Sequence, residues 1–361
     1  DTTRIDKILP TINFLLKNEA KIIILSHVGR PKGKVVKELS LKPICENLKD
    51  KLGQNIRLIS KNIKEVKSTD LFINHDEKIV ILENLRFYQE EEKNNNAFAK
   101  HLASLADIYV NDAFSCSHRA HASIFEITKF IPSYAGLQLN LEIDALTKIT
   151  SIIKRPITCI IGGSKISSKI NIIKNLIYKF DNIIIVGGMA NNILKYKGYE
   201  IGKSIQENDC DQIIEEIFLL SKKEDCKIIY PQDVTTGKDL KGLPEIKQLN
   251  NVSKDELILD IGPKTIKIIS QLIEESNTIL WNGPAGYFEN PNFSIGSNEI
   301  AKKIVEKSKN NTIYSVAGGG DTVALLNNLG VTNNFNFVST AGGAFLEYLE
   351  GKELPGIKAL N

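Results

Sequence analysis

The sequence contains little arginine, methionine, tryptophan and cysteine. Among 361 residues there are one Met, one Trp and five Cys, and only six of the 46 Lys and Arg residues are Arg. The cysteines are scattered and form no Cys-x-x-Cys pair, which argues against a zinc site and a disulfide framework. Reduced cysteines predict a cytoplasmic location.

Long apolar runs and strong net charge are also missing. No run approaches the roughly 20 apolar residues that a membrane helix needs. The net charge of +3 gives no basis for binding nucleic acid or a membrane surface. The length favours two domains, because a single core rarely grows beyond roughly 250–300 residues.

The few arginines are concentrated in the first half of the chain. All six precede residue 156, and four of them, Arg4, Arg30, Arg86 and Arg119, lie in motif-like contexts, whereas Arg57 and Arg155 look like surface residues. A guanidinium group binds carboxylate or phosphate through two parallel hydrogen bonds, which an ammonium group cannot do. We therefore expect the first half to bind a small anion.

Glycine has the opposite distribution, since 20 of the 24 glycines follow residue 160. Glycine clusters after strands can bring backbone N–H groups close to phosphate, so we expect the second half to bind a nucleotide. The clusters are Gly162-Gly163, Gly187-Gly188, Gly318–Gly320 and Gly342-Gly343.

Short Ile- and Val-rich runs alternate with longer amphipathic stretches. This alternation predicts an α/β fold with parallel sheets, whose ligands lie beyond the carboxyl ends of the strands. We expect the segment 137–153 to form one helix that connects the two domains. The predicted strands are 21–25, 79–82, 108–111, 157–161, 183–186, 228–230, 257–260, 278–281, 313–316 and 335–339, and the predicted helices include 97–105, 166–180, 265–275 and 300–307.

Three segments of the first half are candidates for the anion site. Ser26–Pro31, Ser-His-Val-Gly-Arg-Pro, follows a strand, although an ordinary turn has the same composition. His118, Arg119 and His121 place three basic side chains within four positions, which favours an anion over a pH-sensitive surface patch. Arg86 is a third candidate, with an ion pair to Glu83 or Glu90 as the alternative.

Two segments of the second half are candidates for the nucleotide site. Lys165 and Lys169 lie four residues apart at a predicted helix start, a spacing that would put both on one face, although no Walker A loop is present. Gly318–Thr322, Gly-Gly-Gly-Asp-Thr, combines a phosphate-binding backbone with Asp321, a candidate Mg²⁺ ligand. The alternative for Asp321 is a helix N-cap. Trp281 is expected in the core.

Together these segments resemble phosphoglycerate kinases, over nearly the whole chain. The resemblance implies two Rossmann-like domains, transfer of the acyl phosphate of 1,3-bisphosphoglycerate to Mg-ADP after domain closure, and a monomer. The matching blocks are Thr2-Thr-Arg-Ile, Ser26-His-Val-Gly-Arg-Pro, Leu82-Glu-Asn-Leu-Arg-Phe, Val110-Asn-Asp-Ala-Phe, His118-Arg-Ala-His, Gly162-Gly-Ser-Lys, Asp260-Ile-Gly-Pro, Leu280-Trp-Asn-Gly-Pro, Gly318-Gly-Gly-Asp-Thr and Ser339-Thr-Ala-Gly-Gly-Ala.

The resemblance also implies roles for individual residues. It assigns residues 1–136 with 349–361 to the glycerate-binding domain and 154–348 to the nucleotide-binding domain. Arg4 and Lys169 are the candidates for stabilising the phosphoryl group in transit. The implied glycerate-binding residues are Arg4, His27, Val28, Gly29, Arg30, Arg86, His118 and Arg119. The implied residues for ADP or ATP and Mg²⁺ are Gly163, Lys165, Lys169, Gly188, Asn282, Pro284, Glu289, Gly319, Gly320, Asp321 and Thr322, with Asp321 as the metal ligand.

The sequence departs from the family pattern in four places. Ala341, Ser168 and Tyr287 replace a usual glycine, acid and smaller aliphatic residue, which can change base or ribose contacts. The family's first strand, with Arg-x-Asp-x-Asn-x-Pro, is not in this sequence. The resemblance therefore implies a fragment with an incomplete substrate pocket, an unpaired sheet edge and activity that can be lost.

Other function classes fit less well. An NAD-dependent dehydrogenase would carry Gly-x-Gly-x-x-Gly after a strand, and a protein kinase would carry His-Arg-Asp and Asp-Phe-Gly motifs; none of these is present. A non-enzymatic nucleotide-binding chain stays open as the alternative.

Overall fold

The computed structural model describes residues 2–360. The chain forms two compact units, one of Asp1–Ile143 with Glu353–Asn361 and one of Asp144–Lys352.

The first unit contains two small parallel sheets. Its strands are β1 (Ile22–Ile24), β2 (Ile56–Ile59), β3 (Ile79–Leu82), β4 (Tyr109–Asn111) and β5 (Ser133–Ala135). The order of the three-stranded sheet is β1-β3-β2, with Ile22 opposite Ile79, and β4 pairs with β5. All residues of β3 are buried, as the continuous apolar run predicts for a central parallel strand.

Two apolar clusters cover the larger sheet of this unit. One contains Ile12, Leu41 and Leu48, and the other contains Phe98, Leu102 and Ile127. Each buried Leu, Ile or Phe side chain contributes about 1.5–3 kcal/mol relative to an exposed one. The helices up to the unit boundary are α1 (Thr3–Lys17), α2 (Lys42–Leu52), α3 (Gln89–Glu92), α4 (Asn96–Ala103) and α5 (Leu137–Thr150).

Strands β1 and β4 each have an unpaired edge. Within residues 2–360, β1 pairs with β3 alone and β4 with β5 alone. A cavity of about 310 Å³ is lined by both strands, including Ile23 and Val110, and by Ile12 of α1. An open sheet edge is therefore found in this unit.

The second unit is built on a six-stranded parallel sheet. Its strands are β6 (Ile157–Ile161), β7 (Asn182–Ile185), β8 (Lys227–Ile229), β12 (Thr278–Asn282), β13 (Tyr314–Gly318) and β14 (Phe337–Ser339), in the order β14-β13-β12-β6-β7-β8. Leu280 lies opposite Cys159 on one side and Val316 on the other. This register brings the ends of β6, β12 and β13 side by side.

The remaining strands form a separate antiparallel sheet. β9 (Asp233–Gly237) lies between β10 (Glu245–Gln248) and β11 (Leu257–Ile261). The expectation that the 257–260 run joins a parallel sheet was therefore wrong. Threonine-rich β9 and polar β10 carry little of the apolar signal that identified the other strands.

The helices of this unit cover both faces of the main sheet. They are α6 (Ile170–Ile177), α7 (Gly188–Tyr196), α8 (Asp211–Lys223), α9 (Pro263–Glu275), α10 (Ile295–Lys309), α11 (Gly320–Asn328) and α12 (Gly343–Leu349). Trp281 is fully buried in the main apolar cluster and donates its indole N–H to the Gly283 carbonyl at 2.8 Å, so its predicted core position is confirmed.

The chain end returns to the first unit in α13 (Pro355–Lys358). The Gly356 N–H donates to the Ser117 carbonyl at 2.8 Å, and Asn111 Nδ2 donates to the Gly356 carbonyl at 3.3 Å. Leu349 stays in the second unit because Asn175 Nδ2 donates to its carbonyl at 2.7 Å. The return therefore begins at Glu353, later than the predicted 349.

The segment predicted as a connecting helix over 137–153 ends earlier, at Thr150, and the unit boundary falls inside α5 at Ile143. Among residues 2–360, no helix combines the length and the apolar character needed to cross a membrane.

Candidate active site

In the first unit, the loop after β3 fixes the position of Arg86. Asn84 caps a 3₁₀ turn by accepting the Arg86 N–H at 3.0 Å, and its Nδ2 donates to the Val28 carbonyl at 2.8 Å and the Leu39 carbonyl at 2.9 Å. These bonds join the Arg86 turn to the loop after β1. Arg86 is 5% exposed, so a charged side chain is held almost fully inside the protein.

The guanidinium of Arg86 is only partly satisfied. Its Nη1 donates to the Gly29 carbonyl at 3.1 Å, while its buried Nε has no hydrogen-bond partner within residues 2–360. An unsatisfied buried cation is costly, which makes this guanidinium a strong candidate for an anion.

The proposed ion pairs of Arg86 with Glu83 or Glu90 are not formed. Glu83 accepts hydrogen bonds from Ser40 Oγ at 2.7 Å and the Leu41 N–H at 2.8 Å, and Glu90 pairs with Lys64. The alternative interpretation of Arg86 as a structural ion-pair partner was therefore wrong.

His27 lies in the same cationic region. Burial and nearby positive charge lower its pKa to about 4, so this imidazole is neutral near pH 7. The structure therefore brings His27 together with three of the predicted arginines. The neighbours that lower its pKa are, in decreasing order, Arg86, His121, Arg119 and Arg4.

A buried glutamate, Glu91, holds the segment that follows Arg119. Arg119 Nε donates to His118 Nε2 at 3.2 Å. Glu91 accepts the Ser123 hydroxyl at 2.6 Å and the Ser123 N–H at 3.0 Å. Burial raises the pKa of Glu91. Burial also lowers the pKa of His121 to about 4, and the positive charges of Arg86 and Arg119 contribute to that shift.

The other predicted glycerate-binding residues lie at the edge of this region. Gly29 adopts a positive φ of 66° in the turn after β1, and Arg30 is exposed on that turn. Val28 packs against the apolar cluster that contains Ile12, Leu41 and Leu48, and its carbonyl accepts a hydrogen bond from Asn84 Nδ2. Arg4 is exposed in the first turn of α1.

In the second unit, close backbone packing requires glycine where β6 and β12 end. The Gly162 N–H donates to the Asn282 carbonyl at 2.8 Å. A Cβ on Gly162 would lie 2.3 Å from the Pro284 carbonyl oxygen, and a Cβ on Gly283 would lie 2.3 Å from the Gly162 oxygen. The glycines here serve strand-end packing as well as ligand access.

Lys165 and Lys169 do not share a helical face. The α-helix begins only at Ile170, and Ser167–Lys169 forms a 3₁₀ turn. The predicted helix 166–180 therefore begins too early. Lys165 is exposed, whereas Lys169 reaches inward to the Asn282 side-chain oxygen. Burial lowers the pKa of Lys169, although Cys159 and Asp321 oppose this shift.

The end of β13 leads into α11. Gly319, with φ 99°, precedes the helix, and Thr322 Oγ1 accepts the Gly283 N–H at 2.7 Å. Asp321 lies in the first turn, exposed, and forms no hydrogen bond or salt bridge within the described part of the chain. No side chain of residues 2–360 caps this helix, so the N-cap alternative for Asp321 was wrong.

A cavity of about 400 Å³ lies in this region. Its lining includes some of the predicted nucleotide-binding residues, namely Gly163, Gly188, Pro284, Glu289 and Asp321. Lys165, Lys169, Asn282, Gly319, Gly320 and Thr322 are not part of that lining. The sequence pattern missed the apolar side of the cavity, formed by Ile205, Leu240, Leu257, Leu259 and Phe288.

Of the three departures from the family pattern, only Ala341 has a local explanation. Ala341 is buried and has no positive φ, so the backbone there tolerates a Cβ. The Ser168 hydroxyl donates to the Lys165 carbonyl at 2.7 Å. Tyr287 lines the cavity.

The sequence matches the family profile described as phosphoglycerate kinase over residues 1–352. The chain belongs to the phosphoglycerate kinase family. Curated phosphoglycerate kinases from Maricaulis maris and Dictyoglomus turgidum are 43% and 44% identical over 362 aligned positions, which cover 100% of this chain and 90% of each relative.

Solved structures agree with this assignment. The phosphoglycerate kinase from Coxiella burnetii has a TM-score of 0.92 at 38% identity and covers 100% of this chain and 91% of its own. The phosphoglycerate kinase from Pyrococcus horikoshii has a TM-score of 0.81 at 27% identity, with 99% and 90% covered. The α/β fold with parallel sheets is thus shared with known phosphoglycerate kinases.

Proposed function

We propose that the two sites described above carry out the reaction of the phosphoglycerate kinase family. That reaction is the transfer of the acyl phosphate of 1,3-bisphosphoglycerate to ADP, which gives 3-phosphoglycerate and ATP in glycolysis. Membership in the family supports the reaction, and the roles of Arg4 and Lys169 rest on the family resemblance.

The glycerate ligand is assigned to the cationic region of the first unit. The observation that carries this assignment is Arg86, whose buried Nε is unpartnered within the described residues. A carboxylate or phosphate would satisfy it and would be held further by Arg119 and Arg4. His27 is neutral near pH 7 and contributes a hydrogen bond instead of a charge.

The nucleotide is assigned to the cavity of the second unit. Its apolar side suits a flat base, and Glu289 at its exposed rim can accept hydrogen bonds from ribose hydroxyls. The phosphates would lie near Lys165, Lys169 and the first N–H groups of α11, which point away from the helix and favour anions.

The residues present fit Mg²⁺. Asp321 offers an exposed carboxylate that has no hydrogen bond or salt bridge within residues 2–360. The described residues hold no cluster of three His, Cys, Asp or Glu side chains suited to a metal. A single carboxylate together with nucleotide phosphates is a common Mg²⁺ environment. When bound, the ion neutralises phosphate charge.

The chemistry needs no general base. In the direction of ATP consumption the attacking carboxylate is already ionised, so catalysis depends on alignment and on neutralising charge. Arg4 and Lys169 are proposed to stabilise the phosphoryl group in direct in-line transfer. Dependence on charge neutralisation without a general base explains why the site is rich in cations and has neutral histidines.

Location and assembly are also proposed. The five free cysteines suit a reducing compartment, and we place the protein in the cytoplasm as a monomer.

The direct test is ATP formation from 1,3-bisphosphoglycerate and Mg-ADP, measured beside calorimetric titrations with ADP and with 3-phosphoglycerate. Turnover with binding of both ligands is expected. Binding of ADP without turnover, not restored when the family's Arg-x-Asp-x-Asn-x-Pro strand is supplied, would overturn the catalytic assignment and favour a nucleotide-binding chain. Failure of ADP to bind would overturn the nucleotide site itself.

A further inference from the structure

The turn between Lys165 and Lys169 is held by the carboxylate of Glu207, which lies on the segment that follows α7. Glu207 accepts the Ser167 N–H at 3.0 Å through Oε2 and the Ser167 hydroxyl at 2.5 Å through Oε1. Ser167 lies two residues from each lysine. The turn precedes α6, so the hydrogen bonds of that α-helix do not hold it. The bonds from Ser167 join the turn to the segment around Glu207.

Glu207 is itself anchored. Its N–H donates to Asn192 Oδ1 at 3.0 Å, and Asn192 is buried on α7. Two residues earlier, the Ile205 carbonyl accepts Asn191 Nδ2 at 3.0 Å. The segment around Glu207 is therefore fixed to α7, and it can transmit that rigidity to Ser167.

The carboxylate of Glu207 is ionised in this setting. Burial alone would raise its pKa, but the hydrogen bonds from Ser167 and Ile166 and the charge of Lys165 outweigh burial and lower it. An acid beside a phosphate site would, by charge alone, weaken the binding of a polyphosphate. Its presence there calls for a compensating role.

We propose that Glu207 is a positioning residue, which fixes the turn of Ser167 so that Lys165 and Lys169 are directed at the nucleotide phosphates. This inference rests on the proposed function, because it assumes that ADP occupies the cavity of the second unit. Among the described residues, Glu207 forms no salt bridge with Lys165 or Lys169 and is not part of the cavity lining, and its hydrogen bonds reach the turn at Ser167 and Ile166.

Positioning and charge predict opposite results for Glu207→Gln. In the glutamine variant an amide NH₂ group replaces one of the two carboxylate oxygens that accept hydrogen bonds from Ser167. One of these hydrogen bonds is therefore lost, the turn loosens, and ADP should bind about tenfold more weakly. If Glu207 acted by charge alone, its neutralisation would leave ADP affinity unchanged or strengthen it. Adenosine lacks phosphates and should bind within about twofold of its affinity for the unsubstituted chain.

The experiment is calorimetric titration of ADP and adenosine into four chains: the unsubstituted chain, Glu207→Gln, Ser167→Ala and Glu200→Gln. Glu200 accepts the Gly202 N–H at 2.8 Å in the same unit, outside the lysine turn, and serves as the matched control. Ser167→Ala removes one of the two bonds, so its loss should have the same direction and a smaller size.

Weaker ADP binding by Glu207→Gln and Ser167→Ala, with adenosine unchanged and Glu200→Gln unaffected, would support the proposal. The double variant should lose less than the product of the two single effects, because both act on one pair. Unchanged or tighter ADP binding by Glu207→Gln would overturn it, as would equal losses for ADP and adenosine. If the unsubstituted chain binds no ADP, the proposed function fails independently of Glu207.

Discussion

Arg86 donates its Nη1 to the Gly29 carbonyl oxygen at 3.1 Å, and this bond joins the loop after β3 to the turn after β1. The same guanidinium has a buried Nε without a partner among residues 2–360. Arg86 thus holds the turn after β1 and also presents an Nε–H donor that has no acceptor within the described residues.

Arg86→Lys should therefore weaken 3-phosphoglycerate binding by about 10–100-fold, because an ammonium group cannot make the paired hydrogen bonds of a guanidinium. Calorimetry measures the change. Arg155→Lys is a matched control, since Arg155 is half-exposed in the second unit and pairs with Asp181. Equal binding by Arg86→Lys and the unsubstituted chain would remove Arg86 from the anion site.

His27 should make stability depend on pH. Burial and the neighbouring cations lower its pKa from 6.5 to about 4. Between pH 6.5 and about 4 the unfolded chain binds a proton at this position and the native chain does not, so the free energy of unfolding falls as the pH falls. His121 contributes in the same direction.

Urea denaturation at several pH values tests this expectation. His27→Asn should flatten the slope of unfolding free energy in that window, whereas the same change at exposed His75 should not. A steeper slope, or an NMR titration that puts His27 near pH 6.5, would contradict the buried cationic environment.

Lys169→Ala should lower kcat more than it weakens ADP binding. Its ammonium group contacts the Asn282 side chain, and its partly buried setting suits charge that develops during transfer. Steady-state kinetics and ADP titration separate the two effects. Unchanged kcat with weaker ADP binding would show that Lys169 binds only the ground-state nucleotide.

Asp321→Asn should raise the Mg²⁺ concentration needed for half-maximal turnover about tenfold, because a neutral amide is a weaker ligand for a hard cation. Titration of activity with Mg²⁺ at fixed ADP measures this shift. Asp239→Asn, on a loop of the same unit, is the comparison variant. An identical Mg²⁺ dependence in Asp321→Asn would exclude this carboxylate as a ligand.

The sequence predicts the buried parallel strands well, because continuous apolar runs such as Ile79–Leu82 reflect burial on both faces. It misses the short parallel strands β2, which Arg57 interrupts, and β5, which has no buried residue. It also misses β9 and β10, whose residues are largely threonine and polar, and it cannot distinguish β11 as antiparallel. Only the pairing of β11 with β9, set by tertiary contacts, decides that direction.

The sequence proposes Arg86, His27 and Asp321 as site residues from their motifs, and these roles stay predictions. It does not predict the 3₁₀ turn of Lys169 or the apolar residue Ile205 in the cavity, because both depend on distant segments. Arg57 was expected to be a surface residue. It forms a two-point ion pair with buried Glu77, at 2.7 and 2.9 Å, and thereby neutralises a carboxylate inside the first unit.

The most direct test of the account is the rate of ATP formation by Arg4→Ala. Phosphoryl transfer is proposed to proceed through charge neutralisation, and Arg4 is the proposed guanidinium for the group in transit. By analogy with arginine residues that stabilise phosphoryl transfer elsewhere, kcat should fall on the order of 10³-fold relative to the unsubstituted chain. Lys17→Ala, an exposed cation in the last turn of the same helix, should leave kcat unchanged. A loss smaller than about tenfold in Arg4→Ala would contradict the claim.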